Sequence, residues 1–172
     1  METVQATTPV RWDNAAPPAP PVIRCRGVAK DFGTGEATVR ALRGVDLEVF
    51  PGQMTLLAGP SGCGKTTLIS IVAGLLEASE GEVHVLGAAL ARLTSRQKVE
   101  FRRTHVGFVF QDYHLLPTLT ATENAALPLV AAGCGRRPAL ARAREVLVDL
   151  GMAHRAEALP AQMSGGQQQR VA

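Results

Sequence analysis

The sequence predicts an α/β fold with a helical part inserted late in the chain. Three observations carry it. A short apolar run, Met54–Ala58, passes directly into a glycine-rich loop and a helical stretch. Alternating or apolar segments on either side read as further strands, and after Asp112 the pattern becomes helical, with polar caps at Thr120 and Ser164.

The elements follow in order. Residues 14–21 hold four prolines, each lacking a backbone donor, so residues 1–21 are expected to be a flexible leader and the folded domain to run over 22–172. Val22–Arg26 and Val45–Val49 alternate apolar and polar, as half-buried strands do. Pro51-Gly52 is a turn, and Met54–Ala58 suits a buried parallel strand. Lys65–Ala73 reads as helix and Glu82–Leu86 as strand. Thr94 with Gln97 forms a capping box before a short basic helix ending near Arg103, and Val106–Phe110 is a fully apolar strand. Thr120 with Glu123 caps the next helix, which Pro128 is expected to kink or end. Ala139–Leu150 is a third helical stretch, stopped by Gly151, and Ser164 with Gln167 caps a last one. The expected division is a core over 22–111, a helical subdomain over 112–163 and a final helix over 164–172.

Composition narrows the function. With 46% hydrophobic and 19% charged residues the chain reads as globular. Its net charge of +3 is small and its arginines are scattered, apart from the pairs Arg102-Arg103 and Arg136-Arg137, which argues against nucleic-acid binding. Cys25, Cys63 and Cys134 have no metal-like spacing and read as reduced thiols. His84, His105, His114 and His154 share no ligand spacing either. No apolar run approaches the ~20 residues of a membrane span, so any membrane part must come from a partner.

Gly59-Pro60-Ser61-Gly62-Cys63-Gly64-Lys65-Thr66-Thr67 fits the phosphate-binding pattern G-x-x-x-x-G-K-[ST]. Glycines let backbone N–H groups turn inward around a phosphate, and the helix N-terminus adds partial positive charge. Lys65 brings a full charge to the phosphates, and Thr66 offers a hydroxyl to Mg²⁺. Ser164-Gly165-Gly166-Gln167 makes a second helix start free of bulky side chains, able to meet an anion. Gln111 directly follows an apolar strand, on the ligand side of an open α/β sheet. Alone, the last two have ordinary explanations as a capped helix and a solvated loop residue.

The three motifs occur in one order, with 46 positions from Lys65 to Gln111 and 53 from Gln111 to Ser164. In that arrangement the chain resembles the nucleotide-binding subunits of ABC transporters over about residues 22–172. Gly59–Thr67 looks like their Walker A, Gln111 like their Q-loop glutamine and Ser164–Gln167 like their signature loop. Val39–Val45, Phe101–Arg103 and the stretch Gly107–Leu129 look like the lipoprotein-releasing and macrolide-exporting group. The resemblance implies a P-loop NTPase core with an N-terminal β subdomain and an inserted helical subdomain. It implies ATP and Mg²⁺ as cofactors, with Thr66 and Gln111 on the metal and Phe32 stacking on adenine. It implies ATP hydrolysis coupled to a transmembrane permease, in a head-to-tail dimer in which Ser164–Gln167 reaches the γ-phosphate on the other subunit. Its setting would be the cytoplasmic face of the cell membrane, with membrane contact only through the permease.

The family's Walker B aspartate, catalytic glutamate and switch histidine lie beyond the signature helix. None matches a residue of this sequence, so the sheet is expected to be incomplete and a polypeptide of these 172 residues inactive alone. Two other readings stay open. A non-hydrolysing ATP-binding regulator would need no such residues. A DNA-maintenance ATPase of the same type would separate its motifs by a long heptad coiled coil, whereas only 99 positions lie between Lys65 and Ser164.

Overall fold

The computed structural model describes residues 19–172, so residues 1–18 of the expected leader lie outside the described residues. The chain divides into two compact units, one ending at Glu100 and one running from Phe101 to Ala172.

The first unit is built on a four-stranded antiparallel sheet in the order β2-β1-β3-β4. Its strands are β1 (Ile23–Phe32), β2 (Val39–Val49), β3 (Glu80–Val85) and the two-residue β4 (Ala88–Ala89). The central β1 pairs Ile23 with Val49 on one side and with Val85 on the other. All three expected strands of this sheet are present, and β1 and β2 extend well beyond the alternating segments that signal them. Helix α1 (Lys65–Val72) buries Leu68 and Ile71 and packs on β2 and β3. Cys25, Val28, Leu42, Val45 and Val83 are buried with them. Burial and the nearby Asp46 carboxylate push the Cys25 thiol up to about 11. Where β1 pairs with β3, a Cβ on Gly81 would lie 2.4 Å from the Gly27 carbonyl oxygen, so only glycine fits there.

Two expected strands are not found. Met54–Ala58 and Val106–Phe110 belong to no strand, and Met54 and Leu56 are 101% and 80% exposed. A buried parallel strand exists only between neighbours that take its ladder bonds. Among the described residues no strand pairs with either segment.

Helix α2 (Ser95–His105) opens on the expected cap: the Thr94 N–H donates to Gln97 Oε1 at 2.9 Å and the Gln97 N–H to Thr94 Oγ1 at 3.3 Å. The division between the units falls within it.

The second unit holds α3 (Ala121–Ala131), α4 (Arg136–Asp149) and α5 (Gly165–Val171). A helix start leaves N–H groups without intrahelical acceptors. In α3 these are all met: Ala121 donates to the Ala158 carbonyl, Thr122 to the Ala156 carbonyl and Glu123 to Thr120 Oγ1. The Glu123 carboxylate accepts from the Thr120 N–H and from Arg136, and that backbone bond, ahead of Arg136, holds its pKa below the usual carboxylate value.

Buried Asn124 ties the preceding loop to the helix. Its Nδ2 donates to the carbonyls of Leu116, Leu119 and Thr120, and its Oδ1 accepts from the Leu116 N–H. One core gathers Ala121, Leu147, Met152, Met163 and Val171, and a second joins Ala126 of α3 to Ala139 and Ala143 of α4.

Pro128 does not end α3, which runs three residues further. A mid-helix proline removes one bond to the carbonyl four residues back. Here the packing of Ala126 and Leu129 against α4 outweighs that loss. The stop is Gly133, at φ +89°, whose N–H bonds the Val130 carbonyl while Cys134 bonds that of Leu129. Gly74 closes α1 and Gly151 closes α4 by the same pair of reversed bonds.

Candidate nucleotide-phosphate site

Residues 59–64 form a loop that ends where α1 begins. Gly64 is the N-cap, at φ +96° and ψ 5°. Its position is set by β2. In the β1–β2 ladder Lys30 faces Leu42 and Asp31 faces Arg40, so Ala41 is the extra residue of a bulge. A Cβ on Gly64 would lie 2.6 Å from the Ala41 carbonyl oxygen and 2.7 Å from Leu42 Cδ2. The start of α1 is therefore seated directly on the bulge, and glycine is needed there for both conformation and space.

The Lys65 side chain folds back over this loop. Its Nζ donates to the carbonyls of Gly59 at 2.8 Å and Pro60 at 2.7 Å, with Cys63 Sγ at 3.4 Å. The N–H groups of Lys65, Thr66 and Thr67 lie in the first turn, where a helix supplies no acceptor. Thr66 is exposed. Cation, first-turn N–H groups and glycine backbone thus converge where an anionic oxygen can bind, which fits the phosphates of a nucleotide. Among the described residues no cluster of three or more His, Cys, Asp or Glu could hold a metal. A divalent ion here would share phosphate oxygens with a hydroxyl such as that of Thr66, which fits Mg²⁺.

Phe32, the last residue of β1, belongs to the same unit and is 42% exposed. It faces Val39, and Val39 precedes Leu42 by three residues, about 10 Å along a strand. The aromatic ring and the phosphate loop are thus both anchored on one stretch of β2. Two residues that sequence reasoning misses brace this end. Arg40 binds Asp31 through two guanidinium contacts, of 2.9 and 3.3 Å, and also binds Glu80. The Lys30 ammonium lies 5.2 Å from the Phe32 ring centroid. The signal for Lys30 is its spacing two residues before Phe32, on the same face of a strand; nothing in the sequence marks the bulge at Ala41.

Gln111 and Ser164–Gln167 lie in the second unit. Because Val106–Phe110 is not a strand, Gln111 does not sit at a strand's carboxyl end. It is an exposed residue of the turn closed by the Tyr113 N–H on the Phe110 carbonyl. Tyr113 and His114 follow at φ +59° and +50°. Ser164 caps α5 as expected: its N–H donates to Gln167 Oε1 at 2.9 Å and its Oγ accepts from the Gln167 N–H at 3.4 Å. Gly165 and Gly166 have ordinary helical backbone, and a Cβ on either would meet nothing within 4 Å. No packing within the described residues requires a glycine at those positions.

The glycine loop, the helix start and the lysine together have the arrangement of a P-loop. The chain belongs to the ABC transporter family, whose model matches residues 42–172. It is 49% identical over 153 residues to the lipoprotein-releasing system ATP-binding protein LolD 2 of Caulobacter vibrioides, covering 88% of this chain and 67% of that protein. LolD 1 of Rhodospirillum rubrum is 44% identical over 150 residues, covering 87% and 66%. The macrolide export ATP-binding/permease protein MacB of Shigella flexneri is 42% identical over 151 residues, covering 88% of this chain and 23% of that protein. The dimeric structure of MJ0796, a bacterial ABC transporter cassette, superposes with a TM-score of 0.81 at 37% identity, covering 87% of this chain and 66% of that one. A post-hydrolysis state of the same cassette, bound to ADP and Pi, matches equally well at 36% identity. The fold is that of an ABC ATPase cassette, and the resemblance to the lipoprotein-releasing and macrolide-exporting group holds. The chain spans about two thirds of the length of the LolD relatives it matches.

Proposed function

We propose that this chain is the ATP-binding part of an ABC transporter subunit that couples ATP binding and hydrolysis to movement of a transmembrane permease. The observation that carries the reading is the seating of the α1 N-terminus and Lys65 around the glycine loop, in a chain of this family. Gly59, Pro60, Ser61, Gly62, Cys63, Gly64, Lys65, Thr66 and Thr67 would hold the phosphates, Phe32 the base, and Thr66 with Gln111 the Mg²⁺. When bound, Mg²⁺ neutralises charge on the phosphates.

A second copy completes the reading. Gly165 and Gly166 leave bare backbone at a capped helix start that the fold itself does not require. Such a surface suits close approach of an anion held by another molecule, and the similar cassette is a dimer. We place the protein at the inner face of the cell membrane by its similarity to the ATP-binding proteins of lipoprotein-releasing and macrolide-export systems; none of the described helices is long and apolar enough to cross a bilayer. The permease would supply that part. The division into a core over 22–111, a helical subdomain over 112–163 and the signature helix over 164–172 belongs to the same reading.

The test is ATP affinity, measured with a fluorescent analogue. Lys65→Ala should weaken it at least about tenfold, roughly 1.4 kcal/mol, because the loop loses its only full positive charge. An unchanged affinity would refute the assignment.

A further inference from the structure

The loop motif does not account for Lys30. It lies two residues before Phe32 on β1, and side chains at that spacing leave a strand from one face. Its Nζ sits 5.2 Å from the Phe32 ring centroid, within the range at which an aromatic face attracts an ammonium. The neighbouring carboxylates form their ion pairs with other cations, Glu77 with Lys98, and Asp31 and Glu80 with Arg40, and Lys30 adds a weaker Coulombic pull on Glu77.

We propose that Lys30 is a positioning residue for the nucleotide base, fixing the Phe32 ring by capping one of its faces and leaving the other face for stacking. The proposal rests on the reading of Phe32 as the base platform. Two effects follow from the cation. It limits the swing of a ring that is 42% exposed, so less ordering remains to be done when a base arrives. It also draws the ring's π density toward itself, which makes the free face a better partner for an electron-rich purine. Lys30 faces Leu42, beside the Ala41 bulge on which Gly64 rests. The same short stretch of the β1–β2 ladder therefore sets the ring, its cationic cap and the start of the phosphate helix.

The experiment separates base from phosphate. Affinities for ATP and for inorganic tripolyphosphate, both with Mg²⁺, are measured by calorimetry on the purified protein and its variants, with thermal melts confirming that each is folded. Lys30→Ala should weaken ATP about threefold, the size expected of an exposed cation–π contact, and leave tripolyphosphate unchanged. Lys30→Arg should restore ATP binding, since a guanidinium caps an aromatic face as well. Equal weakening of both ligands would overturn the proposal, making Lys30 a plain phosphate charge. So would unchanged ATP affinity, or a failure of arginine to restore it. Phe32→Ala separates the two readings. If it lowers the ratio of ATP to tripolyphosphate affinity while Lys30→Ala does not, only the Lys30 proposal fails. If it leaves that ratio unchanged, the base platform itself is wrong and the proposal falls with it.

Discussion

Gly64→Ala probes the join between the phosphate loop and the sheet. The added Cβ meets two separate penalties. At φ +96° an L side chain is strained, at about 1–3 kcal/mol. It would also lie 2.6 Å from the Ala41 carbonyl oxygen and 2.7 Å from Leu42 Cδ2. The leucine tip can turn aside, but the carbonyl belongs to a bulge pinned between the Lys30–Leu42 and Asp31–Arg40 pairs. The start of α1 must therefore retreat by several tenths of an ångström, which lifts Leu68 from its buried seat at a further ~1–3 kcal/mol. The total is on the order of 3 kcal/mol, a fall in melting temperature of roughly 6–12 °C for a chain of this size. The same retreat moves Lys65 and Thr66, so ATP affinity should drop by about tenfold or more. Gly62→Ala is the control. Its φ is +80° and its added Cβ meets nothing within 4 Å, so it carries only the strain. Melting curves and fluorescent-nucleotide titrations of both variants give the answer. If the two melt alike, the contact with Ala41 is not what holds the loop, and the reasoning from the bulge is wrong.

Two further outcomes are expected. Asn124→Ala strips the buried clamp on residues 116–120 and takes the partner from the Leu116 N–H and the Leu119 carbonyl, while the Leu116 and Thr120 carbonyls keep the N–H groups of Leu119 and residue 124; a loss of ~3 kcal/mol in urea unfolding is expected, with faster amide exchange at Leu116, and a change under ~0.5 kcal/mol would show that the clamp is decorative. Maleimide should label half-buried Cys63 and be slowed by MgATP, while Cys25, 1% exposed and with its thiol pushed up to about 11, stays unmodified until unfolding; equal labelling of Cys63 with and without nucleotide would put the phosphates elsewhere.

What the sequence discloses about this fold is local. The capping boxes at Thr94, Thr120 and Ser164 form as written because each is settled within four residues. The glycine stop at Gly151 holds for the same reason. Met54–Ala58 and Val106–Phe110 fail as strands because an apolar run states only that it wants to be covered, and the neighbours that would cover it are a tertiary matter. The placement of Gln111 at a strand's carboxyl end goes with that strand, and its assignment then leans on the order of the three motifs. At the site, the glycines and Lys65 are legible from their spacing, whereas the bulge at Ala41 that dictates where Gly64 can sit has no mark of its own. Asn124 carries a faint one: a residue poorly suited to a helix interior, placed where its side chain can serve the backbone.

The glycine that ends α3 has a consequence in time. Gly133 closes that helix through bonds reaching back only three to five residues, and residues 132–135 then connect it to α4. Such short-range closures form within microseconds, so the α3–α4 hairpin can assemble early during folding. The bonds from Ala121 and Thr122 to Ala158 and Ala156 span more than thirty residues of chain, and wait on the slower closure of that longer loop. The second unit should therefore fold as a hairpin first and a clasp afterwards.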